Sequence, residues 1–516
     1  MQTVSIAGKS RRTDFLLLGS MTLITFMIHL LLYKGYGIFR DELYFIACSY
    51  RLDWGYVDMP PGVAVVAWIS RRLMGNSLFA VRFIPALFAA GQLLFTGLTV
   101  RAMGGRRYAQ ALACLCVLAA PQFFGTFLNT DMFMGLGWAA CAWVAARVFS
   151  GEDERLWMLF GLFAGLAMQG KHAMAFFCVA FVIGLLISPQ RKMLLGKWLW
   201  AGIGVTFLVA LPNVIWEYNH HWATYELLSN IAKSDKNLVL SPLAYLRSNI
   251  DSIGRFSLPV WGTGLLWFLL AKDGRRFRTL GWTWIAALII FLALKGKDYY
   301  LTPVYPMLYA GGAVAIESWL AERSKARAMV LRVAVVLLVL LDTIGWPMAM
   351  PMMPVEKFIA YEEALHVTPK RTETTEVSQL PQQYADMFGW QEAAAAVAQV
   401  YNRLPAEDRS KCGIFARNYG EAGAIDYFGP QLGLPKAISG HQNYWLWGPG
   451  PYTGECLIVI GGSHELLDPL FTSVTQAGEL YHQYAMPFEN HRPIWIVRGT
   501  KSGTLRDIWP KLKLWY

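Results

Sequence analysis

Eleven apolar runs alternate with short polar clusters through the first two thirds of the chain, a spacing that suits a bilayer better than water. The first extends from Phe15 to Tyr33, behind Lys9, Arg11 and Arg12. At a rise of about 1.5 Å per residue it covers roughly 28 Å, enough to cross a hydrocarbon core. Lys34-Gly35-Tyr36 follows where a signal peptide would show a small-residue cleavage site, so the pattern predicts a retained span. Further runs lie at about Phe83–Val100, Ala109–Phe124, Phe133–Phe149, Trp157–Met168, Met174–Ile187 and Trp198–Ile215. Four more lie at about Phe256–Ala271, Trp282–Leu294, Leu301–Leu320 and Met329–Ile344. Several fall short of about 18 residues and need tilt or interfacial flanks. From about Pro351 the pattern changes. An Ala-rich helical stretch covers about Trp390–Leu404, and strand-like runs lie at Gly413–Arg417, Cys456–Ile460 and Ile494–Val497. The predicted architecture is mainly α: a polytopic membrane protein of about 11 transmembrane helices over residues 1–350. A small C-terminal α/β extracytoplasmic domain follows over 351–516.

Charge gives the sidedness. Arg101/Arg106/Arg107, Arg191/Lys192/Lys197, Arg275/Arg276/Arg278 and Arg323/Lys325/Arg327 occupy alternate loops, so eleven spans put every cluster in the cytoplasm. The expected location is the inner (plasma) membrane, with the N-terminus cytoplasmic and the C-terminal domain outside. Arg71-Arg72 runs against the trend. The outer segments are then Lys34 to about Arg82, Gly125–Met132, Gln169–Ala173, Glu217–Arg255 and Lys295–Tyr300.

Composition excludes other classes. Only 16% of residues are charged and 55% are hydrophobic, with a mean hydropathy of +0.34. A soluble domain carries about 25% charged residues. The net charge of +11 would suggest nucleic acid, but the cations sit between apolar runs, so membrane lipids are the expected partners and nucleic acid is not. Two cysteines, Cys412 and Cys456, lie in the tail; an oxidising compartment permits a disulfide, and the plainer reading is two buried thiols at strand ends. With no Cys/His ligand spacing and no D-x-D, neither a metal nor a cofactor is expected.

The candidate chemistry lies on the outer face. Arg40-Asp41-Glu42-Leu43-Tyr44-Phe45 follows the first span, and Asp53 and Asp58 come next. Asp53 reads as a solvated acid. Asp41 and Glu42 are flanked by apolar residues that should lie on the membrane surface, holding a carboxylate at headgroup level. Asp131 opens the fourth run, where it either caps the helix or shares a role with the first segment. Arg82, Lys171 and Lys297 are outer-face cations at span ends. They suit an anionic group such as a lipid phosphate, with snorkelling as the plain alternative. Gly165–Lys171 mimics a phosphate loop but lacks the closing Ser/Thr and the preceding strand. His220-His221, with Glu217 nearby, reads as interfacial.

The order Arg40-Asp41-Glu42-Leu43-Tyr44, Trp54-Gly55-Tyr56-Val57-Asp58-Met59-Pro60-Pro61 and Val81-Arg82-Phe83-Ile84-Pro85 resembles bacterial family-39 glycosyltransferases. These are of the GT-C class, with protein O-mannosyltransferases and lipid A aminoarabinose transferases as relatives. Asn129-Thr130-Asp131-Met132-Phe133, Lys171, Lys297-Asp298-Tyr299-Tyr300 and the tail's Asn418–Tyr427 and Ser439–Trp445 extend the likeness over nearly the whole chain. The resemblance implies transfer of a sugar from a polyprenyl-phosphate donor to a glycan, lipid or protein acceptor, with inversion and without a cofactor. It implies Asp41 as general base and Glu42 as an acceptor-orienting residue. Arg82, Lys171 and Lys297 would then serve the phosphate, with Tyr299 beside them, and Asp58 and Asp131 would shape the sugar pocket. Two departures narrow the substrate. The aminoarabinose transferases carry Glu-Lys-Pro-Pro where this chain has Asp58-Met59-Pro60-Pro61, and no Trp-Trp-Asp motif of oligosaccharyltransferases occurs. The alternative from another class is a lipid-linked sugar flippase. It would want ionisable residues at mid-bilayer, where these runs are almost free of them apart from Asp342 near the end of the last.

Overall fold

The computed structural model describes residues 2–121, 126–234, 238–369 and 373–516, with side chains from Asp14 onward. The side chains of Lys9, Arg11 and Arg12, the end of the third predicted span and the start of the second outer segment lie outside the described residues. The chain forms two compact units. One comprises Met1–Tyr33, Phe79–Ile215 and Val239–Met352; the other comprises Lys34–Leu78, Trp216–Leu238 and Met353–Tyr516. Two earlier segments, Lys34–Leu78 and Trp216–Leu238, belong with the tail.

Helices stand at the position of each apolar run: Gln2–Leu31, Leu78–Ala102, Arg107–Ala119, Asp131–Phe149, Leu156–Met168, Met174–Ile187, Lys197–Asn219, Leu258–Leu270, Arg278–Ala293, Tyr305–Ala321 and Lys325–Leu340. Among the described residues, six helices are long and apolar enough to cross a membrane, or up to eight if each of two bent pairs counts as one span. Others, such as Arg107–Ala119 and Leu156–Met168, are shorter. This is a multi-pass membrane protein.

In lipid, apolar side chains gain little from meeting each other, so close backbone approach matters more. Gly264 and Gly312 lie where Leu258–Leu270 crosses Tyr305–Ala321. A Cβ on either would strike backbone of the other helix, at the Leu308 or the Val260 carbonyl. Gly161 and Gly202 do the same for Leu156–Met168 and Lys197–Asn219. One bent pair joins Pro242–Ile253 to Leu258–Leu270 at 114°. The turn uses Gly254 at φ +98°, and Asp342 accepts hydrogen bonds from the Phe256 N–H (2.9 Å) and the Ser257 hydroxyl. The exceptional acid of the last span therefore holds a helix break.

In the second unit five strands, β1 (Cys412–Ala416), β2 (Ala437–Ser439), β3 (Cys456–Ile460), β4 (Phe471–Leu480) and β5 (Arg492–Thr500), form one sheet in the order β2-β1-β3-β5-β4. β1 pairs in parallel with β2 and β3, while β5 is antiparallel to β3 and β4. Cys412 and Cys456 are register partners on β1 and β3, with Cα atoms 4.5 Å apart, and are joined by a disulfide. Trp390–Asn402 is helical as the Ala-rich pattern predicts. Strands β2 and β4 carry no comparable sequence signal: β2 is three residues long and β4 is mostly exposed.

The first outer segment joins this unit by burying apolar surface. In the helix Arg40–Ser49, Leu43, Tyr44, Phe45 and Ile46 are all buried, and Leu43 packs so closely on the helix Tyr419–Phe428 that a Cβ at Gly423 would lie 2.8 Å from its Cβ. The expectation that these side chains face the membrane surface is thereby corrected: they face protein. Trp216–Leu238 is held likewise. Ala223 and Leu227 pack with Val57, Trp216 and Trp515, and Lys513 reaches Glu226 at 2.6 Å. His220 stacks on Trp216, with ring centroids 4.0 Å apart. Arg71, the discordant outer cation, donates to the Ser49 hydroxyl and Asn76 and lies over the Tyr50 ring.

Candidate active site

Asp41 sits in the first turn of the helix Arg40–Ser49, where the helix dipole favours a carboxylate. Its neighbour Glu42 is fully buried and turns back to accept the Phe39 N–H at 2.9 Å, satisfying a donor that the helix start would otherwise leave open. The two adjacent acids therefore divide. Glu42 fixes the turn, and Asp41, about a third exposed, faces outward from it. Through this bond Glu42 orients the helix that carries Asp41.

Asp41 Oδ1 accepts a hydrogen bond from the Tyr419 hydroxyl at 2.8 Å and lies 3.5 Å from Arg40 Nε. Among the described residues, Oδ2 has no partner. Tyr419 opens the helix Tyr419–Phe428, whose N-cap Asn418 accepts from the Gly420 and Glu421 N–H groups. The phenol ring packs against Tyr44 (4.9 Å) and His441 (4.9 Å), with the Arg40 guanidinium 5.6 Å from its centroid. Arg40 has a second carboxylate, Asp386 Oδ1, also at 3.5 Å, and its N–H donates to the Asp386 carbonyl at 3.0 Å. Burial pushes the Asp386 carboxyl up to about 7; Arg40 opposes this, and Asp41, Glu489 and Glu373 add to it. Burial likewise raises Tyr419, with Asp41 reinforcing it against Arg40, so the phenol stays a donor.

Asp58 is in the same unit and accepts from the Tyr44 hydroxyl at 2.8 Å. Burial and Asp58 together keep that phenol protonated. Tyr444 is core, its hydroxyl on Asp426 at 3.0 Å. Asp53 is exposed, as expected.

The helical unit holds the cations. Lys171 Nζ meets Asp131 Oδ1 at 2.6 Å and lies over the rings of Tyr300 (4.6 Å) and Tyr299 (5.5 Å). Asp131 is not the cap: Asn129 Oδ1 accepts the Met132 N–H at 2.9 Å. Lys297 is half-buried and precedes the short helix Asp298–Val304, in which Asp298 accepts from the Tyr299 N–H and the Ser248 hydroxyl. Arg82 is buried, 2% exposed, and donates to the Tyr33 carbonyl at 2.7 Å. The structure thus joins Asp131 with Lys171 and Tyr299, while Arg82 is turned to the backbone at the end of the first long helix. Asp386, a second acid beside Arg40, follows a polar tail segment that carries no local sequence signal.

Residues 58–216 match the family model described as dolichyl-phosphate-mannose-protein mannosyltransferase. The lipid A galacturonosyltransferase RgtD of Rhizobium johnstonii is 27% identical over 232 residues, 43% of this chain and 47% of that protein. The match therefore spans about half the length of this curated relative. ArnT from Cupriavidus metallidurans bound to undecaprenyl phosphate superposes with a TM-score of 0.58 at 16% identity, over 93% of this chain and 97% of that one. The chain shares the fold of this ArnT. The apo form of the same ArnT gives a TM-score of 0.56 over the same shares. These GT-C relatives are transferases, and the flippase alternative finds no support among them.

Proposed function

We propose that this chain is a glycosyltransferase that moves a sugar from a polyprenyl-phosphate carrier to an acceptor at the outer face of the inner membrane. The observation that carries the reading is the Asp41 carboxylate, the exposed member of its pair, with one oxygen held and the other open. The acceptor O–H gives its proton to Asp41 as its oxygen bonds to the anomeric carbon. The bond from that carbon to the phosphate oxygen breaks, and its electron pair leaves with the polyprenyl phosphate. Phosphate needs positive charge more than a proton, so one base suffices where glycoside hydrolysis uses two carboxylates. By the resemblance, Lys171 and Lys297 are assigned to the phosphate with Tyr299 alongside, and Asp58 and Asp131 to the sugar. Arg82, which donates to the Tyr33 carbonyl, is the third cation assigned to the phosphate. Direct displacement inverts the anomeric centre.

The names of the matches and the resemblance together suggest donors to try: undecaprenyl phosphate carrying galacturonate, mannose or, from the resemblance alone, aminoarabinose. The Asp58-Met59-Pro60-Pro61 departure places the last behind the other two. Purified chain should release free undecaprenyl phosphate from one of them in the presence of a lipid A acceptor. Asp41→Asn should lower that release by at least the roughly 10²–10⁴-fold a positioned base contributes. Undiminished turnover in this variant removes Asp41 from the role, and a retained anomeric configuration by product NMR removes direct displacement.

A further inference from the structure

The surroundings of Asp41 contain more than a base needs. Two groups converge on Oδ1 and, among the described residues, none on Oδ2. Tyr419 comes from the tail, 378 positions along the chain, and its ring is wedged between Tyr44 and His441, so its hydroxyl has little freedom to turn. Arg40 stands at equal distance, 3.5 Å, from Asp41 and from the fully buried Asp386.

Resting on the reading of Asp41 as base, we propose that Tyr419 is its positioning residue and that Arg40 and Asp386 set the charge against which it works. The Tyr419 hydroxyl fixes the carboxylate plane and leaves Oδ2 as the proton-accepting atom, since a base must meet its hydrogen in line and at hydrogen-bond distance. The charge argument follows from the neighbours. The charged or titratable groups facing Asp386 are Arg40, Asp41, Glu373 and Glu489, and Tyr419 lies beside Arg40. Glu489 shares a buried hydrogen bond with Glu421, near Arg492 and Asn418. With Asp386 protonated, the Arg40 cation offsets the Asp41 carboxylate. Ionising Asp386 adds one negative charge to this group, beside Glu373 and Glu489, and a proton moving onto Asp41 is then drawn more strongly. Burial pushes the Asp386 carboxyl up to about 7, so the turnover rate is expected to rise with pH across that region.

The test uses the full chain in detergent or nanodiscs, with whichever of the three undecaprenyl-phosphate sugars turns over. Tyr419→Phe keeps the ring packing and removes the hydroxyl; kcat is expected to fall about tenfold or more with KM within twofold. Asp386→Asn fixes the neutral state, so the rise in kcat through about pH 7 should vanish, leaving the low-pH rate throughout. This arm stands even if Tyr419→Phe folds poorly. Wild-type kcat in Tyr419→Phe, a loss confined to KM, or an unchanged pH profile in Asp386→Asn overturns the proposal. An active Asp41→Asn instead overturns the assignment of the base, and neither other variant can mimic that result.

Discussion

At the residue scale, the Lys171–Asp131 pair is the most informative contact outside the surroundings of Asp41. Half-buried ion pairs contribute little net stability, because desolvation offsets the attraction. A lysine held 2.6 Å from a carboxylate and faced by two tyrosine rings is instead well suited to present one cation in a fixed place. If it serves the leaving phosphate, its charge matters most as the carbon–oxygen bond breaks. Lys171→Met should therefore lower kcat/KM by roughly 10²-fold or more. Asp131→Asn should cost less, since the ammonium remains. The double variant should be no worse than Lys171→Met alone, because the carboxylate acts through the lysine. Steady-state release of undecaprenyl phosphate measures all three, and additive losses would separate the two residues into independent roles.

At the element scale, the helix Tyr419–Phe428 links the tail's sequence to the chemistry of the first outer segment. Asn418 caps it twice over, accepting from the Gly420 N–H at 2.8 Å and the Glu421 N–H at 3.0 Å. Asn418→Ala should destabilise the helix by about 1 kcal/mol. The expected outcome is a lower thermal midpoint for the tail, together with a fall in kcat that Asn418→Asp, an equally good cap, largely restores. This element also shows what the sequence could and could not reveal. The Asn418-Tyr419 motif was visible as a resemblance, and so was Asp41. The bond between them was not, because a hydrogen bond spanning 378 positions leaves no periodic or local trace. The apolar runs were legible because a bilayer demands length and apolarity together, and a helix stands at each. The helix Arg40–Ser49 misled for the same reason. Apolar residues beside a charged pair look alike whether they face lipid or the tail, and only packing tells them apart. Strand β4 was missed because mostly exposed positions give no alternation to read.

At the scale of the whole molecule, the question is which compartment the tail occupies. Two observations of different kinds bear on it. The basic clusters recur in alternate loops, which under the positive-inside rule assigns those loops to the cytoplasm. The disulfide joins register partners on β1 and β3, and such bonds persist in oxidising compartments but are rare in the cytosol. Both favour a tail outside the cytoplasm, and both can be tested in intact cells. Alkaline phosphatase fused after Tyr516 should be active, since that enzyme itself needs oxidised cysteines. Thiol alkylation before lysis should leave Cys412 and Cys456 unmodified until a reductant is added. Cys412→Ser with Cys456→Ser should then lower the thermal midpoint of the tail, the bond being worth roughly 2–4 kcal/mol for a loop of this size. Freely alkylated Cys412 and Cys456, with an inactive fusion, would reverse the topology. The Asp41 helix packs on the tail's Tyr419–Phe428, so the proposed transfer would then have to be reassigned to the cytoplasmic face.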